Sequence, residues 1–511
     1  MCRNHKAPND KDGNDRNHRR HFFRESDGHH FHLIYSVKPS FVEFLNRLSV
    51  GFRSSLKLLL AVAGFLFVAI LPLGISFQAH MSIAIFVFIA VMWTVEAIPM
   101  PATALLVPVL LTAFGIFETS DAFMPFANPV VYLILGSVIL AGAVHKTGLD
   151  KRMLYPILLG SKGKVERFLL ALMVVAFIFS MWISNTATVA LLAPFAIGLA
   201  SKVPDRELSK KLMVLFLLGI GFASVIGGMA TVVGTAPNAV TSALLAKQGP
   251  WTFLDWMIIG VPTAAILLVL VWRLLIIALK PPKIELDISS LEDEFRHLGR
   301  WSGGEKKTLV ILILTIIFWI LGDAIVGMFG VPSSFMSTAI VALLAAVALF
   351  ATRTMTWQEA RIVPWGVFLI IGAGLAMGEA LVNTGAANWI TSVLASNLIT
   401  LPVLVMVFVL SIIVVLISNF LNNTASAAVF IPILIVLANT AGESVYLVVL
   451  PVALVLSLSL ITPIGTPPIT LIYSTGRIPR RTLAKVGALV TVPAVLICIL
   501  MVYVMYSLGV F

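Results

Sequence analysis

The chain has 511 residues, of which 59% are hydrophobic and only 12% charged. A soluble fold of that size cannot hide so much apolar surface, so the composition excludes a soluble globular protein and calls for membrane-spanning helices. In such a chain the formal charge of +11 marks cytoplasmic loops rather than nucleic-acid binding, and the two cysteines, Cys2 and Cys498, are too few for a disulfide framework and wrongly spaced for zinc.

Residues 1–56 are polar, basic and His-rich ("HRRHFFRESDGHHFHL") and lack the apolar core of a cleavable signal. They read as a disordered cytosolic arm, and their histidines lack any fixed metal-binding spacing. Apolar segments then fall near 57–76, 82–99, 102–117, 128–145, 166–200, 210–245, 255–279, 308–329, 334–351, 365–382, 401–440, 446–475 and 484–510. Lipid offers no partner to unpaired backbone groups, so the fold class is an all-α integral membrane protein. Segments 166–200 and 401–440 are too long for one span and too short for two with a loop, and each has a polar centre. Segments 210–245 and 446–475 are also long and are broken by Gly and Pro.

Loop charge sets the orientation. "HKTGLDKRMLYPILLGSKGKVERF", "SKVPDRELSKK", the linker 281–307, "ATRTMTWQEAR" and "GRIPRRTLAK" are basic. "GISFQAH", "FETSDAFMPFANP", "NTGAANWITSVLASNLIT" and "NTAGESV" carry no Lys or Arg, and only Lys247 breaks the pattern. The alternation holds if 166–200 and 401–440 are re-entrant hairpins opening to opposite sides. That leaves about eleven spans, with the N-terminus cytoplasmic, the C-terminus external and a cytosolic linker between membrane halves 57–280 and 308–511.

The halves repeat one another. "SNTATVALLAPFAIGLA" (184–200) matches "NNTASAAVFIPILIVLA" (422–438), with Pro194 and Pro432 at the same offset. Gly234-Thr235-Ala236-Pro237 pairs with Gly465-Thr466-Pro467-Pro468. Each half runs span, hairpin, broken span, and the opposed hairpins make the repeat inverted, a signature of secondary transporters with a mid-membrane site. A hairpin tip exposes free N–H groups on one helix and free C=O groups on the other. The donors suit an anion; the carbonyls with Ser, Thr and Asn oxygens suit a hard cation such as Na⁺. Glu96, His145, Arg273, Asp323 and Glu379 mostly lie near span ends, where snorkelling suffices. Glu379 reads as an ion-pair partner, and Trp182 as packing beside the first tip.

These paired motifs resemble the divalent anion–sodium symporter family, the INDY-like dicarboxylate, citrate and sulfate transporters. The resemblance covers about residues 57–511 and rests on "SMWISNTAT", "GTAPN" and "TVEAIP". It implies a homodimer with a fixed scaffold and an elevator-type transport domain that carries two or more Na⁺ with its substrate. Carried over, the first Na⁺ site uses Ser180, Ser184, Asn185 and the backbone at Ala230. The second uses Ser418, Asn423 and the backbone at Leu421 and Ile461. The substrate meets Asn185, Thr186, Asn423 and Thr424, with Thr231, Thr462 and Pro463 lining the broken spans. Asn422 departs from the family's usual Ser and brings donors as well as an acceptor.

The expected function is Na⁺-coupled symport of a divalent organic anion, a C4-dicarboxylate such as succinate first, across a cell inner or plasma membrane. The alternatives are Na⁺-independent exchange, or citrate or sulfate as substrate. No Lys, Arg or His falls on the mapped positions, which favours cation coupling. An enzyme would need a catalytic cluster such as His-Glu-x-x-His, and a channel would need a ring built by symmetric subunits.

Overall fold

The computed structural model describes residues 50–510 apart from 331–332, 362, 364 and 399–400. The expected arm therefore lies outside the described residues up to position 49, and 50–56 already belong to the first helix. Among the described residues there is no β-strand. In the first half, α1 (Val50–Ile70), α2 (Phe77–Val95), α3 (Met100–Ala113), the short α4 (Thr119–Phe123) and α5 (Pro129–Thr147) precede a surface helix α6 (Leu149–Leu159). The helix pair α7 (Val165–Trp182) and α8 (Asn185–Ser201) follows, then α9 (Arg206–Met229), α10 (Ala236–Leu245) and α11 (Phe253–Leu279). The linker holds α12 (Ser289–His297). The second half runs α13 (Gly303–Met328), α14 (Thr338–Ala351), α15 (Trp357–Ala360), α16 (Trp365–Asn383), α17 (Ala386–Leu398), the pair α18 (Val403–Ser418) and α19 (Asn423–Ala441), then α20 (Val445–Leu456), α21 (Pro467–Ser474) and α22 (Arg480–Ser507).

Nine helices among the described residues are long and apolar enough to cross a membrane. Their burial sorts them. Over its most apolar window α9 is 94% buried, whereas α13 is 28% buried. The first is therefore an interior strut, and the second shows lipid a face that includes Val310, Ile313, Ile317 and Leu321. Helices α6, α12 and α17 fall in stretches that the charge pattern alone reads as loops. The linker is docked rather than loose: Arg152 Nε donates to Glu305 Oε1 at 2.6 Å, and Tyr155 donates to Glu294 at 2.5 Å. Trp182 stacks on Trp319 at 6.1 Å and on Phe253 at 6.5 Å, and it also lines the cavity described below.

The breaks that position the site have local causes. Helix α9 stops at Met229 and α10 begins with Pro at its first turn; α20 stops at Leu456 and α21 begins likewise. Proline starts a helix well but cannot continue one. Gly234 sits where a Cβ would meet the carbonyls of Gly228 and Ser180, so only glycine lets the unwound segment lie this close to α7.

Candidate functional site

Four helix N-termini converge on one cavity of ≈260 Å³. Its lining includes Ser184, Asn185 and Thr186 at the start of α8, Thr235, Ala236 and Pro237 at the start of α10, Asn422, Asn423 and Thr424 at the start of α19, and Thr466, Pro467 and Pro468 at the start of α21. Each N-terminus carries roughly half a positive charge and unpaired N–H groups. Among the described residues, no Lys, Arg or His lines the cavity. An anion there meets dipoles, amides and hydroxyls, each helix end contributing about 0.3–2 kcal/mol. Ser457 and Thr466 are among the lining residues, and their buried hydroxyls have no hydrogen-bond partner.

The two tips differ. Asn422 caps α19 with its own side chain: its Oδ1 accepts from Thr424 N at 2.9 Å and Ala425 N at 3.4 Å. Ser184 makes no such bond at the start of α8. The first tip therefore leaves its backbone donors free of side-chain capping, and the second uses two of them internally.

Behind each tip the break is tied to the hairpin. Thr231 Oγ1 donates to the Met181 carbonyl, and Asn238 Nδ2 donates to the carbonyls of Thr231 at 2.7 Å and Gly228 at 2.9 Å. In the second half Thr462 donates to the Asn419 carbonyl, and Asn419 Oδ1 accepts from Ile461 N at 2.9 Å and Thr462 N at 3.3 Å. The Asn185 amide nitrogen, in the orientation that satisfies its neighbours, donates to the carbonyls of Gly234 and Ser224 at 3.2 Å each.

Of the residues singled out from sequence, Ser184, Asn185, Thr186, Asn423 and Thr424 line the cavity. Ser180 lies fully buried behind the first tip, its hydroxyl unpartnered. The Ala230 carbonyl abuts Gly260 of α11. Ser418 is buried behind the second tip, near Ser459, while Leu421 N donates to the Ile417 carbonyl at 3.0 Å. Thr231, Thr462 and Pro463 are not among the lining residues; the two threonines face the hairpins, and the Pro463 carbonyl accepts from Thr470 at 2.8 Å.

Thr186 also lines two adjoining cavities. One, of ≈690 Å³, runs past His145, Lys146, Asp150 and Glu359. The other, of ≈570 Å³, runs past Glu96 and Asn422. At the first, the hydrogen bond from Lys146 at 2.7 Å, with those from the Thr356 backbone and hydroxyl, holds the Glu359 carboxyl down at about 2.

The family model described as "Sodium:sulfate symporter transmembrane region" matches residues 53–510. This chain belongs to the sodium:sulfate symporter family. A Haemophilus influenzae protein described as an uncharacterized transporter is 32% identical over 432 residues, covering 83% of this chain and 92% of its own. The sodium-dependent dicarboxylate transporter SdcS of Staphylococcus saprophyticus is 30% identical over 457 residues, covering 84% and 87%. Among solved structures, the YdaH transporter of Alcanivorax borkumensis aligns with a TM-score of 0.50 at 14% identity, covering 85% of this chain and 99% of its own, a likeness of fold alone.

Membership of the sodium:sulfate symporter family makes the chain a multi-pass integral membrane transporter rather than an enzyme. Sequence reasoning missed several polar residues of this symporter's core: Asn238, Asn419, Ser457 and Ser459. Asn238 closes the "GTAPN" motif, Asn419 directly follows Ser418, and Ser457 and Ser459 lie two apart before the second break, positions that read as ordinary helix packing. Offset matching between the halves was the one signal that could have found Ser459.

Proposed function

We propose that the protein is a secondary active transporter that couples Na⁺ to movement of a divalent organic anion, with a C4-dicarboxylate as first substrate. The observation that supports this reading is the convergence of four helix N-termini on a cavity lined, among the described residues, by no basic side chain. Two negative charges there need compensation beyond dipoles and hydroxyls, because the surroundings have low dielectric. Co-bound cations supply it. The oxygens behind the tips, Ser180 and the Asn185 amide in the first half and Ser418 and Asn423 in the second, are where such cations sit. A cation near the Ser224 and Gly234 carbonyls requires the Asn185 amide oxygen, not its nitrogen, to face them, so ion binding and tip conformation are linked. The family's sodium:sulfate name and the sodium-dependent dicarboxylate relative point the same way. Both hairpins and both broken helices then move together as an elevator against a scaffold, within a homodimer whose N-termini are cytoplasmic.

The test is a thermal-shift panel on purified protein with succinate, malate, citrate and sulfate, each with and without Na⁺. Succinate is expected to raise Tm only with Na⁺ present. Asn185→Ala and Thr424→Ala remove that shift without unfolding the protein. A succinate shift of equal size without Na⁺ favours exchange and overturns the coupling; a shift with sulfate alone overturns the substrate class.

A further inference from the structure

The halves place different side chains at one matched position. Six residues before the break glycine stands Gly228 in the first half, counting back from Gly234, and Ser459 in the second, counting back from Gly465. Gly228 lies so near the first tip that a Cβ there would run into the Asn185 amide. In the second half the space is occupied. The fully buried Ser459 hydroxyl lies 2.8 Å from Asn423 Oδ1 and 2.8 Å from Ser418 Oγ. Ser418 gives its own proton to the Val415 carbonyl at 3.1 Å. The Ser459 proton is therefore the one shared with these two oxygens. The first-half counterpart of Ser418 is Ser180, four residues before the tip as Ser418 is before Asn422. Its hydroxyl has no partner at all.

This difference has a chemical consequence. A hard monovalent cation binds by collecting oxygen lone pairs, and a hydroxyl proton aimed at those lone pairs competes with it. The first cluster has no hydroxyl at the Gly228 position to do so. We propose that Ser459 is an ion-affinity residue: its hydroxyl closes the second oxygen cluster on itself, so a monovalent cation enters there only by displacing that proton. The second position thus carries a competing hydroxyl proton that has no counterpart at Gly228 in the first. This rests on the reading that the clusters hold a co-transported cation. Occupancy of the second position, and with it the full charge compensation of a dianion, then needs a higher Na⁺ level than it would without that hydroxyl.

The experiment is a Na⁺ titration of the succinate-induced Tm shift in the purified full-length protein, comparing wild type with S459A and with S459G, which copies the first half. Removing the competing proton lowers half-saturating Na⁺ by about three- to tenfold, the equivalent of one net hydrogen bond. The maximal shift at saturating Na⁺ is retained. A merely structural role for Ser459 lowers the ligand-free Tm and leaves half-saturating Na⁺ unchanged, which overturns the proposal. An increase in half-saturating Na⁺ also overturns it, because the hydroxyl is then a ligand rather than a competitor. If S459G fails to fold, S459A carries the test, since alanine differs from serine only by the oxygen. A wild type whose shift ignores Na⁺ overturns the underlying coupling before any variant is compared.

Discussion

The Thr231 hydroxyl donates to the Met181 carbonyl at 2.5 Å, pinning the unwound segment after α9 to the last turn of the hairpin arm α7. The same hydroxyl accepts from Gly234 N at 3.1 Å, and it is completely buried. Thr462 holds Asn419 in the same way across the second half. These threonines fix where the tips stand, although they do not line the cavity. Thr231→Val keeps the shape, strands the buried Met181 carbonyl and leaves Gly234 N only its longer bond to the Thr231 carbonyl at 3.4 Å. The expected cost is about 1–3 kcal/mol, seen as a ligand-free Tm several degrees below wild type. A Tm equal to wild type contradicts this role.

Asn422 offers a second test. Its side chain caps α19 and occupies the N–H groups of Thr424 and Ala425. Asn422→Ala is expected to destabilise the ligand-free protein by about 0.5–2 kcal/mol, the usual worth of such a cap. It also frees those donors for an anion. The succinate-induced shift at saturating Na⁺ is therefore expected to grow while the ligand-free Tm falls. An unchanged ligand-free Tm contradicts the capping role, and a smaller succinate shift contradicts the release of those donors to the anion.

Glu359 gives a pH dependence of definite sign. The Lys146 hydrogen bond, followed by those from Thr356, lowers its carboxyl from 4.5 to about 2. A carboxylate lowered on folding contributes stability that is fully present above its unfolded pKa and disappears as pH falls through its folded pKa. The window is thus from about 4.5 down to about 2. Glu359→Gln should flatten the fall in Tm across that range and leave the neutral-pH slope unchanged. An identical acid limb in wild type and variant refutes the assignment.

Lys247, in the turn that follows α10, forms an ion pair with Glu379 of α16. The Lys247 side chain is 44% exposed and that of Glu379 25%, so the pair contributes at most about 1 kcal/mol to stability. Its interest is that one partner directly follows a broken helix of the proposed moving unit and the other sits on α16, outside that unit. In Lys247→Cys/Glu379→Cys protein, a short thiol-reactive bis-methanethiosulfonate that bridges the two positions through disulfides, releasing sulfinate, should stop uptake in proteoliposomes, with recovery on reduction. Full transport by the bridged protein rules out relative motion of these helices.

The tips and breaks were legible because a polar cluster in an apolar run is costly in lipid, and here it recurs at matching offsets with Gly and Pro in both halves. The same logic flagged Lys247 as the charge out of place and Glu379 as an ion-pair partner, and the structure joins the two. What spacing could not give was direction. In unwound backbone no 3.6-residue period fixes where a side chain points, so Thr231 and Thr462 were read toward the cavity when they face the hairpins. Nor did charge pattern distinguish α6, α12 and α17 from loops. Their ordering comes from tertiary contacts such as Arg152 with Glu305, 153 positions apart.

Uptake of labelled succinate into proteoliposomes tests the central claim most directly, with Na⁺ or an equal concentration of K⁺ outside. The predicted result is saturable accumulation that needs the inward Na⁺ gradient and is lost in Asn185→Ala. Undiminished uptake with K⁺ outside would contradict Na⁺ coupling.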